Sequence, residues 1–350
     1  MRFPFLVPFL AACSSSAPAT PDLEPVAPPT AVATGGDEVN PRLLRRFKAL
    51  RPPPPIASPT EQAEVDLGRM LFFDKRLSRD HDLSCNSCHH LDSYGVDNRP
   101  VSTGADGQLG RRNSPSVYHA GGNIASFWDG RARDVEAQAT MPMTNPREMA
   151  MADDAAVVAV LTAIPGYVGA FRTAYPTEAT PISPATLGKA LGAFERRLVT
   201  PSRWDKFLSG DHGALTKDEV AGLKLFTDSG CITCHTGELV GGSMFQKAGH
   251  LKPWPNQADQ GRFEVTKLES DRMEFKVPSL RNVAKTAPYF HDASATTLPQ
   301  AVRKMADLQL DVQLTDAEVE LIVQWLGALT GELPAAYIAE PKLPADATTY

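Results

Sequence analysis

The sequence predicts a mainly α protein built from two related helical halves joined by long irregular loops. Three observations carry this. One seven-residue pattern occurs twice, each copy led by a helix-entry signal. The legible apolar stretches recur at spacings of three and four residues, and nothing in the chain reads as a tight hairpin. A length of 350 residues is too long for one small domain and sufficient for two with real cores. Apolar residues at 42% and charged residues at 22% are ordinary for a globular chain, and a net charge of -6 implies no basic face, which excludes a nucleic-acid partner.

The elements follow in chain order. Arg2 and the apolar stretch Phe3 to Leu10 read as an export signal, too short and too broken by Pro4 and Pro8 to span a bilayer. Leu10-Ala11-Ala12-Cys13 has the form of a lipoprotein cleavage site. The expectation is a signal peptide at 1–12, lipidation at Cys13 and, because Ser14 follows, a lipid anchor in the outer membrane facing the periplasm. Residues 13–60 read as a Pro/Ala-rich tether ending in Pro52-Pro53-Pro54-Pro55, with the basic stretch Arg42 to Arg51 forming a short helix laid on the body.

The repeat then begins. Gly68-Arg69-Met70-Leu71-Phe72-Phe73-Asp74 and Gly222-Leu223-Lys224-Leu225-Phe226-Thr227-Asp228 share Gly-x-x-Leu-Phe-x-Asp. Ser58-Pro59-Thr60-Glu61 and Thr216-Lys217-Asp218-Glu219 are the capping boxes that start their helices. Between the copies, Ala155 to Ala163 reads as a helix stopped at Pro165-Gly166, and Ser183-Pro184 opens another through Leu187, Leu191 and Phe194. After the second copy, Thr315 caps a helix with the apolar face Val319, Ile322, Val323, Leu326 and Leu329, stopped at Gly331. The halves divide at 61–201 and 202–340, with a tail at 341–350.

Each helix of the repeat leads into a Cys-x-x-Cys-His motif: Cys85, Cys88 and His89 in the first half, Cys231, Cys234 and His235 in the second. Two thiols at this spacing can add to the two vinyl groups on one edge of a porphyrin, and the adjacent imidazole then ligates the iron. A zinc ribbon, an iron–sulfur site and a thioredoxin-like pair are the competing uses of such cysteines. All five cysteines are accounted for, one in the lipobox and four in two copies that each carry the histidine, which favours two covalently bound c-type haems over those uses. His90 is expected to meet solvent or a haem propionate.

From about residue 60 to 340 the chain resembles the bacterial di-haem cytochrome c peroxidases and the related MauG enzymes. The resemblance rests on Leu67 to Asp74, Phe127-Trp128-Asp129-Gly130-Arg131, Met143-Thr144-Asn145-Pro146-Arg147-Glu148-Met149, Ala193-Phe194-Glu195-Arg196, Val277 to Val283, and Ala287-Pro288-Tyr289-Phe290-His291-Asp292. It implies two cytochrome c-like domains, each with one covalent haem, facing a shared interface. The C-terminal haem would receive electrons, with Met305 as its thioether ligand. The N-terminal haem would meet hydrogen peroxide, with Glu148 moving the proton and Gln138 and Pro142 completing the pocket. Trp128 would relay electrons between them. A calcium ion held by Asn113, Thr286 and Pro288, a small cytochrome c or cupredoxin as electron donor, and a homodimer complete the expectation.

One departure stands out. The family's peroxidases carry a histidine in the loop after the first haem motif, and that histidine caps the resting iron. Here Ala105 takes its place, in a loop whose Gly104, Asp106 and Gly107 suggest flexibility. The peroxidatic haem is therefore expected to be open when fully oxidised, unless His119 substitutes as ligand. That openness resembles MauG, whereas Met305 does not, because MauG has a tyrosine there. A peroxidase leads; a MauG-like oxidase of a protein substrate and a non-enzymatic electron carrier are the competitors.

Overall fold

The computed structural model describes Met1 and residues 39–346, and residues 39–346 form one compact unit. The signal peptide, Cys13 and the first part of the tether lie outside the described residues. Thirteen α-helices occur among the described residues: α1 (Pro41–Leu44), α2 (Pro59–Phe73), α3 (Val135–Ala139), α4 (Met141–Thr144), α5 (Asp154–Thr162), α6 (Pro165–Ala174), α7 (Pro184–Glu195), α8 (Arg203–Leu208), α9 (Lys217–Asp228), α10 (Phe263–Thr266), α11 (Leu298–Leu310), α12 (Asp316–Gly327) and α13 (Ala335–Ile338). Two three-residue strands, β1 (Phe245–Lys247) and β2 (Glu274–Lys276), pair antiparallel across a long connection rather than a tight turn.

The duplication is visible as two helix pairs with one design. In the first half α2 crosses α7, and in the second α9 crosses α12. The glycine of the repeated pattern sits at each crossing. A Cβ on Gly68 would collide with the Ala190 carbonyl of α7, and one on Gly222 with the Leu321 carbonyl of α12. The shared Gly is thus required by backbone-to-backbone approach. Thr216 and Glu219 close a full reciprocal cap at α9 (3.2 and 2.8 Å). At α2, Ser58 accepts from the Glu61 amide, but the Glu61 carboxylate reaches back to Ala57 instead.

Each half has its own core. Leu67, Leu71 and Phe72 of α2 pack with Leu187, Leu191 and Phe194 of α7 and Tyr167 and Phe171 of α6. In the second half Leu223 and Phe226 of α9 meet Ile322, Trp325 and Leu326 of α12. Pro165 does not merely stop α5: it takes the first position of α6, where its missing N–H costs nothing. The helix capped by Thr315, α12, ends at Gly327, before the expected stop at Gly331.

The two ends of the continuous described segment, residues 39–346, each pack on the half farther along the chain. Part of the segment read as a tether is docked on the second half: Val39, Phe47 and Leu50 are buried, with Phe47 edge-on to Trp204 (5.3 Å between ring centres). The C-terminal segment returns to the first half, where Tyr337 stacks on Phe194 (5.1 Å) and donates to its carbonyl (2.9 Å). The two halves are therefore tied by both ends.

Candidate active site

Each Cys-x-x-Cys-His closes one tight turn. The His89 amide donates to the Cys85 carbonyl (3.0 Å) and the His235 amide to the Cys231 carbonyl (3.1 Å). This compact turn keeps both thiols and the imidazole close together. His89 Nδ1 lies 3.3 Å from the Gly95 carbonyl, and His235 Nδ1 3.1 Å from the Val240 carbonyl. A ring N–H held by a carbonyl leaves Nε2 with its lone pair for a metal. Burial lowers both imidazole pKa values, that of His235 to about 4, so both rings are neutral ligand-type groups.

The four cysteines are free, and burial pushes the thiols of Cys85, Cys88 and Cys231 upward, the last to about 12. A reactive redox pair needs an easily formed thiolate, which the burial of Cys85, Cys88 and Cys231 disfavours. Among the described residues no group of three His, Cys, Asp or Glu side chains is arranged to hold a metal ion. Thiols beside an anchored imidazole at the wall of a cavity fit a covalently attached haem in each half.

The N-terminal motif lines a cavity of about 580 Å³, which also gathers Trp128, Gln138, Pro142 and Glu148. These residues come from three places: the loop before α3, the helices α3 and α4, and the turn after α4. Glu148 Oε1 accepts from the Asn145 amide (2.9 Å). Burial raises the Glu148 pKa above the usual carboxylate value, with Arg131 and the Asn145 hydrogen bond opposing. The carboxyl is thus biased toward exchanging a proton nearer neutral pH than a free glutamate.

The C-terminal motif lines a second cavity of about 260 Å³, which includes Met305 from α11 and also Asn113, Thr286 and Pro288. Trp128 lines both cavities, and its indole N–H donates to the Asn113 carbonyl (2.9 Å). Asn113 is itself buried, its amide nitrogen donating to the Arg99 carbonyl (2.9 Å). His90 is exposed and hydrogen-bonds the Ser87 carbonyl (3.0 Å).

The loop carrying Ala105 is pinned, not loose. The Ala105 amide donates to the Glu148 carbonyl (2.8 Å), the Gly104 amide to Gln108 (2.8 Å), and Arg79 pairs with Asp106 (2.8 Å). A Cβ on Gly104 would strike the Arg147 carbonyl, which ties this loop to the Glu148 turn. His119, the expected alternative ligand, does not line the N-terminal cavity. It is buried away from the N-terminal cavity, with Nε2 3.0 Å from Thr200 Oγ1 and 3.3 Å from the Asn282 amide. Among the described residues, His89 is the one histidine lining that cavity.

Three further groups lie in the N-terminal cavity without having stood out in the sequence. Arg131, its guanidinium over the Phe127 ring (3.4 Å), faces Glu148. The buried Glu195 has its pKa pushed up to about 8 by desolvation. Lys276 reaches the wall from β2. Arg131 and Glu195 fall inside the quoted family segments, so position alone could have flagged them; Lys276 had no such signal.

Comparison with known proteins agrees with this geometry. The profile of the family described as di-haem cytochrome c peroxidase matches residues 62–213. The chain is 45% identical over 290 residues to cytochrome c551 peroxidase of Nitrosomonas europaea, covering 82% of this chain and 86% of that one. It is 44% identical over 297 residues to cytochrome c551 peroxidase of Pseudomonas aeruginosa (83% and 85% covered). Methylamine utilization protein MauG of Methylorubrum extorquens is 35% identical over 330 residues (90% and 91%). Among solved structures, a MauG-like protein associated with microbial copper homeostasis superposes with a TM-score of 0.71 at 30% identity, covering 84% of this chain and 97% of that one. The chain belongs to the di-haem cytochrome c peroxidase and MauG family.

Proposed function

We propose that this chain is a periplasmic cytochrome c peroxidase that reduces hydrogen peroxide to two waters with two protons and two electrons drawn from a small cytochrome c or cupredoxin. The observation that carries this reading is the N-terminal cavity, where Glu148, Gln138 and Pro142 share one space with Cys85, Cys88 and His89. A haem held by Cys85, Cys88 and His89 would supply the iron that meets peroxide, and one held by Cys231, Cys234, His235 and Met305 the electron-accepting iron, whose thioether ligand raises its potential.

The protein's own groups then divide the work. Glu148 takes the proton from one peroxide oxygen and delivers it to the other, which departs as water. Asn145 holds the carboxylate in place through its 2.9 Å bond, and Arg131 stabilises its charged form. Gln138 and Pro142 shape the space in which peroxide lies. Trp128, which lines both cavities, relays electrons between them. Ala105 supplies no lone pair, so the peroxide site is open without prior reduction. Asn113 with the carbonyls of Thr286 and Pro288 would hold a calcium ion, whose preference for oxygen ligands they meet. A lipid on Cys13 would anchor the enzyme at the outer membrane, and the working form is a homodimer.

A MauG-like oxidation of a protein side chain is the second reading, favoured by Ala105 and opposed by Met305. Steady-state turnover of peroxide with reduced small cytochrome c separates them. The peroxidase reading requires two donor equivalents oxidised per peroxide, and no donor oxidation would remove it.

A further inference from the structure

Lys276 is buried, with 7% of its surface exposed, yet no carboxylate lies within ion-pair distance of it among the described residues. Its side chain forms no hydrogen bond to any described residue, and desolvation alone pulls its pKa down to about 8. An unpaired buried ammonium is costly, and folded proteins pair such charges. Its position is fixed from behind: the Lys276 amide donates to the Trp128 carbonyl (2.8 Å), and β2 registers Lys276 against Phe245. Lys276 lines both cavities, alongside Trp128 and Asn113. A cation is therefore built into the wall between two spaces with no carboxylate at ion-pair distance, although Glu148 and Glu195 line the same N-terminal cavity.

The cofactor assigned to those spaces carries carboxylates of its own. We propose that Lys276 is the counter-charge for a haem propionate at the wall shared by the two cavities, and that its charge raises the electron affinity of the haem it pairs with. This rests on the two-haem reading above. Lys276 is then a positioning and tuning residue that touches the cofactor and not peroxide. In a protein interior of effective dielectric ~20, removing a unit charge about 12 Å from the iron changes a one-electron reduction equilibrium by about tenfold.

The test is a spectroelectrochemical titration of the holoprotein and of Lys276→Met and Lys276→Arg, with haem counted per chain by mass and absorbance. Lys276→Met should lower the midpoint of at least one haem by about tenfold in its reduction equilibrium, ~59 mV for one electron, while Lys276→Arg stays near the parent. Unchanged midpoints in Lys276→Met, or an equal fall in Lys276→Arg, would overturn the proposal. If Lys276→Met takes up no haem, Lys276→Arg decides: two haems loaded upholds the need for charge, and failure of both refutes it. Fewer than two haems in the parent would instead refute the two-haem reading, which keeps the two failures distinct.

Discussion

Replacing Glu148 by glutamine isolates proton transfer from everything else that residue does. Glutamine keeps the side-chain length and an Oε1 acceptor for the Asn145 amide, now 2.9 Å away. The Glu148 carbonyl still receives the Ala105 amide, so the loop facing it stays pinned. What disappears is a carboxylate able to take a proton and return it. Such a group contributes ~10²–10⁴ in rate, or about 3–5 kcal/mol of barrier. A second signature comes from the raised pKa of Glu148, which burial displaces upward against Arg131 and Asn145. The base form is lost as pH falls through that raised value, so the parent's kcat/KM should decline on an acid limb above the usual glutamate range. Glu148→Gln should lack that limb. The assay is stopped-flow consumption of peroxide by the holoprotein against pH, with haem content measured in parallel. A fully loaded variant within a few-fold of the parent, with the acid limb unchanged, would refute the role of Glu148.

The remaining predictions concern the second cavity and the scaffold. Met305→His should lower the potential of the C-terminal haem and slow electron entry from the donor, and an unchanged potential would place the ligand elsewhere. Asp74 is buried, which alone would raise its pKa, but hydrogen bonds from Arg76 and the Tyr167 hydroxyl (2.6 Å) hold it below the ordinary value. Its contribution is therefore present above the ordinary carboxylate range and lost as pH falls through the depressed value. Asp74→Asn should cost about 2–3 kcal/mol at neutral pH and flatten the acid side of the stability profile, read by denaturant midpoint. Gly68→Ala should destabilise by about 1–3 kcal/mol because its methyl has no room against α7. Gly169→Ala, in α6 with open space around its Cβ, should stabilise by up to ~1 kcal/mol; equal effects at the two glycines would contradict the helix-crossing account.

What was legible in the sequence was local or carried in contiguous segments. The two haem motifs, the capping of α9 and the repeated Gly-x-x-Leu-Phe-x-Asp are each written in a few adjacent residues, and the structure repeats their geometry in both halves. Glu148 was legible only through the family segment around it, since an isolated Glu in a Pro-containing turn has no chemistry of its own. The misses share one cause: they are set by residues far apart in the chain. Phe47 is buried because Trp204 and Trp325 are beside it, and nothing near Phe47 announces them. Tyr337 leaves its own half for Phe194 for the same reason. Lys276 reads as a surface lysine until β2 carries it inward. In the sequence Gly104 suggests freedom in the Ala105 loop, whereas that glycine is required by close contact with the Glu148 turn.

The central claim is that the N-terminal cavity presents an open iron to peroxide in the fully oxidised enzyme, because Ala105 cannot ligate it and His119 is held by Thr200 and Asn282. The electron paramagnetic resonance spectrum of the oxidised holoprotein as isolated tests this most directly. One high-spin ferric signal beside one low-spin signal is the predicted result. Two low-spin ferric haems would contradict it and show that a ligand other than the missing histidine closes the site.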